Sequence, residues 1–124
     1  MSAGSVFRFK PQPCEGYPSR MILELAILNV RRGESQQFEE TFDEAKSIIS
    51  ASPGFDHLEL RRCLEDADRY VLLVGWDRLE DHTEGFRKSE GYERWRALLH
   101  HFYEPFPVVE HYESLVEVAR PGGG

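Results

Sequence analysis

The amino-acid sequence predicts an α+β domain in which helices cover one face of an antiparallel β-sheet. Four segments have the apolar content of β-strands, and the segments after the first and third strands show the three- and four-residue apolar spacing of amphipathic helices. In the third strand, residues 70–76, side chains on both faces are apolar, because they alternate across a strand. Burial of each large apolar side chain stabilises a fold by roughly 1.5–3 kcal/mol, so neither face is expected to be exposed to water. One face is covered by helices, so the other needs a second cover.

The 124-residue chain suits one domain, flanked by two irregular ends. Residues 1–20 contain three prolines and are predicted to form an N-terminal arm, because proline cannot hold a regular hydrogen-bond ladder. The arm either packs against the domain or a neighbouring subunit, or it is a disordered leader. The domain is predicted over residues 21–118, and residues 119–124 are predicted to be a flexible tail.

The first half of the domain is predicted to be strand, helix, strand. Residues 22–30 alternate little, which places that strand well inside the sheet. The helix begins near Ser35, a residue type that favours the N-cap, and ends at residues 52–54, a Ser-Pro-Gly sequence. Its apolar face recurs at intervals of four, three and four: Phe38, Phe42, Ala45 and Ile49. Residues 55–64 alternate clearly, so this second strand has one solvent-exposed face.

The second half is predicted to be strand, helical pair, strand. A polar turn at residues 65–68 makes the second and third strands a hairpin. Asp81, with Glu84 three residues later, has the form of a capping box that opens a short helix. A second helix begins near Glu90, with an apolar stripe of Tyr92, Trp95, Leu99 and Phe102. Two prolines end it, and residues 108–118 are the last strand.

This order of elements is that of the ferredoxin-like split βαβ arrangement, an antiparallel sheet with helices on one face. The uncovered face of the sheet then explains the two-sided apolar strand. A two-fold homodimer that packs sheet on sheet would bury that face, with each subunit supplying the same surface.

Composition excludes several classes of protein. A net charge of −7 argues against a nucleic-acid binder, which needs Lys and Arg to displace phosphate counterions. The longest nearly apolar runs, residues 21–30 and 70–76, are far shorter than the roughly 20 residues that span a bilayer, and the N-terminus has no signal-peptide core. Cys14 and Cys63 form no framework and are expected to be free thiols in a reducing cytoplasm.

Several sequence features occur together over residues 21–115: the apolar first strand, PGF at 53–55, Trp76 ending the third strand, DHTEGFRKSEGYERWRALL at 81–99, and EHYE at 110–113. With them the chain resembles the antibiotic biosynthesis monooxygenase family of small dimeric α+β barrels. The resemblance implies an oxygenase that needs neither flavin nor metal and acts on quinols or polyketide anthrones. Heme-degrading proteins and many members without a known reaction also belong to this group.

Cofactor-free oxygenation requires an apolar cavity, a base that generates an electron-rich anion, and donors that hold the anion. The cavity is expected between the helices and the sheet. Its candidate wall residues, each of which is equally explained as plain core, are Trp76, Phe86, Tyr92, Trp95 and Phe102. Trp76 is the best candidate, because it ends a strand where a pocket mouth usually opens.

Two histidines are the candidate bases. His82 follows the third strand at the start of the helical segment, and His111 lies in the middle of the last strand. An unperturbed pKa near 6.5 suits imidazole for proton abstraction near neutral pH. The alternative for His82 is a capping or turn side chain. The alternative for His111 is a core or interface histidine bonded to a carboxylate or carbonyl.

Other polar side chains are candidates for holding the substrate. Tyr92 and Tyr112 are able to donate to a bound oxygen atom, although tyrosines on apolar stripes also serve as amphipathic core. Arg87 and Arg96 are able to pair with an acidic substrate group, or else they are solvated or salt-bridged surface residues.

No metal site is predicted. His100 and His101 are adjacent on a helix and point about 100° apart, so they do not chelate one ion as an i, i+4 pair would. The heme-degrading relatives use a helix histidine and a first-strand asparagine. Aligned with them, this chain has Arg96 near the histidine position and Ala26 near the asparagine position. A one-turn shift in alignment would restore His100 as a heme ligand.

These observations predict a cytoplasmic homodimer that acts as a cofactor-independent monooxygenase on a small phenolic, quinol or anthrone-like aromatic substrate and dioxygen. His82 or His111 is the expected base, and neither nucleic acid nor membrane is an expected partner. Two alternatives stay open: a heme-binding and heme-degrading monooxygenase, and a non-catalytic dimer that binds a small apolar ligand.

Overall fold

The computed structural model describes residues 21–122, so the predicted arm and residues 123–124 lie outside the described residues. The strands are β1 (Ile22–Asn29), β2 (Phe55–Arg62), β3 (Arg69–Trp76) and β4 (Val109–Glu113). The α-helices are α1 (Ser35–Ser50) and α2 (Glu90–Leu99). Three short turns complete the chain: a π-helical turn at Asp81–Gly85 and 3₁₀ turns at Phe86–Lys88 and His100–Phe102.

The four strands form one antiparallel sheet in the order β2-β3-β1-β4. β1 pairs with β3 on one side and with β4 on the other. This arrangement confirms the predicted α+β, ferredoxin-like fold. It also confirms that β1 and β3 are the two interior strands, as their apolar content predicted.

The core lies between the helices and one face of the sheet. In β3 the predicted side, which begins at Tyr70 and ends at Trp76, is fully buried. The apolar face of α1 is buried against it, and from α2 Trp95 and Leu99 are buried. Phe38 of α1 contacts several aromatic rings at centroid distances of 5.0–5.9 Å: Phe42, Tyr70, Phe102 and Tyr103.

The opposite face of the sheet has apolar side chains without a cover from the described residues. Leu25 pairs with Leu73, and Ile27 pairs with Val71 across β1 and β3. The exposed fraction of Ile27 is 43%, and the other three are half-buried. Residues 21–122 therefore do not cover the sheet face opposite the helices, for which the sequence predicted a second cover.

Three local predictions were wrong. Ser35 is the first residue of α1 and not its N-cap, because its hydroxyl donates to Asp68 Oδ1 at 2.6 Å. The carboxylate of Asp81 accepts a hydrogen bond from the Arg78 backbone N–H at 3.1 Å and does not cap a helix. The last strand ends at Glu113, since β4 pairs only with the first five residues of β1 and the chain beyond is exposed.

Candidate functional site

A cavity of about 350 Å³ lies between the sheet and the helical segments that follow β3. Side chains of β1, β3 and β4 form its floor, and α2 with the short turns on either side forms its walls. It is lined by Glu24, Ala26, Leu28, Leu72, His82, Phe86, Arg87, Tyr92, Trp95, His100, Tyr103, Phe106, Pro107 and Val109. Most of the lining residues are apolar or aromatic, with a few polar groups, which is the usual make-up of a small-molecule site.

The π-helical turn places His82 on this cavity. Gly54, at φ +84°, accepts the Asp77 backbone N–H at 2.8 Å and leaves room for the Asp81 side chain, which a Cβ at that position would overlap. With Asp81 fixed by Arg78, the next side chain turns inward. His82 is only 3% exposed, and its ring stacks on Trp76 with centroids 5.3 Å apart and planes 14° apart.

Glu24 is a buried acid beside this stacked pair. It lies in β1 on the same face as Ala26, and it is 5% exposed. The Trp76 indole Nε1–H donates to Glu24 Oε1 at 2.9 Å. The same oxygen lies 3.4 Å from His82 Nε2. Burial of a carboxylate is costly without partners, and the Trp76 N–H supplies one.

His111 completes the cluster from β4. The strand register sets it opposite Glu24 on the neighbouring strand, so both side chains point to the helical side of the sheet. His82 Nδ1 and His111 Nε2 are 2.8 Å apart, a hydrogen bond in which one ring nitrogen donates to the other. Three titratable side chains from three separate elements therefore form one continuous chain of contacts: Glu24, His82 and His111.

Burial controls the protonation of this cluster. It raises the pKa of Glu24, an effect that the Trp76 hydrogen bond and the charge of Arg87 partly offset. It lowers the pKa of His82 to about 3, with the charges of Arg87 and His111 acting in the same direction. Burial and Arg87 also lower the pKa of His111. Both imidazoles are thus neutral at pH 7, and the contact between His82 and Glu24 is not an ion pair.

An aromatic wall faces this polar cluster. Phe86 meets Tyr92 edge to face at 5.5 Å and Trp95 at 5.8 Å. Further along the wall, His100 packs on Tyr92 at 5.9 Å and on Phe106 at 4.9 Å. Burial, together with the charge of Arg96, lowers the pKa of His100.

The sequence-predicted site residues are only partly brought together. His82, Phe86, Tyr92 and Trp95 line the cavity, and His111 contacts it through His82. The structure does not place the predicted wall residues Trp76 and Phe102, or the predicted donor Tyr112, on the cavity. Trp76 lies fully buried behind His82, and Phe102 is buried in the core against Phe38. Tyr112 is on the other face of β4, 47% exposed, where its hydroxyl donates to Glu110 at 2.8 Å.

The sequence prediction missed Glu24, and it missed His100 as a wall residue. Arg87, a candidate for pairing with an acidic substrate group, does line the cavity. A signal for Glu24 was present, since it is the single charged residue of the apolar run at residues 21–30. It also has the same parity as Ala26 and Leu28, which face the core. Nothing comparable marked His100, because its inward orientation depends on the 3₁₀ turn that ends α2.

Residues 21–122 contain neither a metal-binding cluster nor a helix suited to a membrane. No group of three His, Cys, Asp or Glu side chains in this range is arranged to hold a metal ion. None of its helices has the length and apolar character needed to cross a membrane. The thiol of Cys63 is free, whereas Cys14 lies outside the described residues.

Comparison with known proteins gives a relative and several similar structures. The uncharacterized protein YczJ of Bacillus subtilis (strain 168) is 48% identical over 95 residues, which cover 77% of this chain and 100% of YczJ. A Bordetella bronchiseptica structure classed among antibiotic biosynthesis monooxygenases matches with a TM-score of 0.75 at 28% identity, covering 79% of this chain and 100% of that one.

SnoaB from Streptomyces nogalater, a cofactor-independent oxygenase, matches with a TM-score of 0.62 at 17% identity. The match covers 83% of this chain and 99% of SnoaB, and at this identity the likeness is one of fold. The family model for antibiotic biosynthesis monooxygenases matches residues 21–98. The chain therefore belongs to the antibiotic biosynthesis monooxygenase family.

Proposed function

We propose that this protein is a cofactor-independent monooxygenase that oxidises a small phenolic, quinol or anthrone-like substrate with dioxygen. The observation that carries the proposal is a hydrogen-bonded pair of neutral histidines beside an aromatic-lined cavity: His82, buried on the cavity wall, and the half-buried His111 behind it. A neutral imidazole is able to accept a proton, and a largely apolar cavity favours a flat aromatic molecule. Membership of the family supports the same reaction class.

The chemistry begins with removal of a proton from the substrate. The resulting anion keeps the bonding electrons and gives one electron to dioxygen, and the two radicals combine to form a carbon–oxygen bond. The peroxide then takes back a proton and loses water, leaving a carbonyl group on the substrate. For an anthrone CH₂ group, one oxygen atom enters the product and the other leaves as water, so that dioxygen is the sole oxidant. The protein's part is to hold the ring, accept the proton and return it.

Oxygen uptake by purified, metal-stripped and flavin-free protein tests this function. The substrates are a panel of quinols and anthrones, each measured against its own autoxidation rate. We expect uptake above autoxidation with one chemical class. Tight binding of a panel member that is later released unchanged in air would instead support the non-catalytic ligand-binding dimer.

Heme cleavage is the second candidate, because His100 lines the cavity and is half-buried. The remaining residues do not fit heme. Ala26 offers no amide donor on the floor, and about 350 Å³ is near the lower end of the roughly 300–1,000 Å³ range of small-molecule pockets. We therefore expect no Soret shift when hemin is titrated into the protein. A shift that disappears in His100→Ala but persists in His101→Ala would contradict this expectation.

Two copies of the chain form a homodimer that covers the apolar sheet face described above. We expect light scattering to give twice the mass of the 124-residue chain at low micromolar concentration. Ile27→Glu places a charge on that face and is expected to give a folded monomer. Leu64→Glu is the control, since Leu64 is 95% exposed and lies beyond β2. A monomeric mass for the wild-type protein would contradict the proposed homodimer.

We place the proposed oxygenase in the cytoplasm. The thiol of Cys63 is free, and disulfides are rare in that reducing compartment. Alkylation of the intact protein without reductant checks the thiol state. Both cysteines should react under denaturing conditions.

A further inference from the structure

Glu24 is unusual among the cavity residues, because it is an acid almost completely withdrawn from water. It is 5% exposed, and within residues 21–122 no Lys or Arg lies within ion-pair distance of it. The indole of Trp76 and the ring of His82 are its polar neighbours. A carboxylate kept in such a place without a cation is costly to the fold, and perturbed buried acids of this kind cluster at functional sites.

We propose that Glu24 is the group that takes the proton from the substrate, and that His82 and His111 pass this proton to the edge of the sheet. The inference rests on the proposed function and names a catalytic residue for it. It stands on three distances: 2.9 Å from Trp76 Nε1 to Glu24 Oε1, 3.4 Å from that oxygen to His82 Nε2, and 2.8 Å from His82 Nδ1 to His111 Nε2.

The first transfer occurs at the carboxylate. The substrate bond to hydrogen breaks, C–H in an anthrone or O–H in a quinol, and its electron pair stays on the substrate. A new O–H bond forms on Glu24 Oε2, the oxygen that does not accept the Trp76 hydrogen bond. Trp76 holds Oε1 in place during this step. Rotation of the carboxyl group then brings its hydroxyl to His82 Nε2, where the new O–H bond of Glu24 breaks and the proton moves to the ring nitrogen.

The second transfer uses both nitrogens of His82. Nε2 gains the proton from Glu24, while Nδ1 gives up its own proton to His111 Nε2. His82 is neutral before and after the exchange and changes only its tautomer. His111 is more exposed than His82, so it is the member of the chain that is able to exchange its proton with water. Return of the proton to the peroxide runs the same steps in reverse.

The pKa shifts suit Glu24 as the resting place of the proton, with the two rings as a path that the proton crosses without staying. Burial raises the pKa of Glu24, which makes its carboxylate a stronger base than an exposed one, and it lowers the pKa of His82 and of His111, so neither ring traps the proton. Arg87 from the 3₁₀ turn is the cation whose charge reaches this cluster. The α2 side of the cavity adds further titratable groups: Tyr92, His100 and Tyr103.

Glu24→Gln tests the assignment, because the amide keeps the shape and is able to keep the Trp76 hydrogen bond but accepts no proton. Glu113→Gln is the matched control, an exposed glutamate of β4. The probe is 1,8-dihydroxyanthrone added without oxygen, so that only deprotonation is observed. We expect the absorbance of its anion, together with the infrared carbonyl stretch of a protonated carboxyl, in the wild-type protein and in Glu113→Gln. Both signals should be lost in Glu24→Gln.

Turnover in air is the second measurement on the Glu24→Gln variant. In an active protein, Glu24→Gln should lower kcat about 100- to 10,000-fold. In the wild type, kcat/KM should fall at low pH with an apparent pKa above the ordinary glutamate range, and this fall should be absent in Glu24→Gln. Anion formation unchanged in Glu24→Gln would overturn the role of Glu24. Anion formation that is lost in Glu24→Gln, with no oxygen uptake by the wild type, would uphold the proton transfer while refuting the oxygenase.

Discussion

His82→Ala is expected to lower the rate of oxygen uptake about 100- to 10,000-fold, the usual contribution of a positioned acid or base. The reason is geometric, since His82 is the side chain that contacts both Glu24 and His111. Its removal interrupts the proton path and leaves the buried carboxylate without its neighbour. Initial rates against the best panel substrate, corrected for autoxidation, measure the effect.

His101→Ala is the control for this variant, because His101 is exposed and does not line the cavity. Its rate should equal that of the wild type. Equal rates in His82→Ala and His101→Ala, in an active protein, would show that His82 neither takes nor passes the substrate's proton.

The protonation of His82 is also measurable through stability. Its pKa is lowered to about 3, so between pH 6.5 and 3 the unfolded chain binds a proton that the folded protein does not, and stability falls as the pH drops. The raised pKa of Glu24 acts in the opposite direction, adding stability as the pH falls through that value. Denaturant unfolding of His82→Asn at pH 7.5 and pH 5 should therefore show a smaller loss on acidification than the wild type.

Trp76→Ala is expected to lower the free energy of unfolding by about 3–5 kcal/mol, the cost of emptying a large core site. Trp76 is fully buried, its indole stacks on His82, and Phe55 and Phe86 pack on it at 6.0 Å. Loss of the indole also leaves Glu24 without its hydrogen-bond donor. Urea unfolding followed by circular dichroism measures the change.

Trp76→Phe separates packing from hydrogen bonding. The phenyl ring keeps much of the buried surface but has no N–H, so the stability loss should be smaller while the pKa of Glu24 rises further. A shift of the acid limb of kcat/KM to higher pH would report this change. A stability loss in Trp76→Phe as large as that in Trp76→Ala would mean that the hydrogen bond, and not packing, dominates at this position.

Much of the fold was predictable because it follows from local periodicity. The alternation of β3 identified an interior strand and its buried side, including Trp76, and the stripe of α1 identified its core face. Errors occurred where a side chain had a stronger partner at long range. Ser35 bonds to Asp68 instead of capping α1, and Asp81 holds the turn before His82.

The types of residue in the candidate site were predictable from the sequence, but the contacts between them were not. Histidines after β3 and within β4 were the expected bases, and the structure shows that they contact each other. Alternation along a strand excludes adjacent His111 and Tyr112 from the same face. Which of the two points to the helices is decided only by the pairing of β4 with β1, and Tyr112 is the one that points away.

The sequence by itself determined the element order, the buried faces and three of the five predicted wall residues, because each depends on spacing along a single strand or helix. Only the tertiary structure decided that Glu24, His82 and His111 meet. These three side chains come from β1, from a π-helical turn and from β4, and they are brought within hydrogen-bonding reach by strand register and by one irregular turn. Neither of those leaves a periodic signal in the chain.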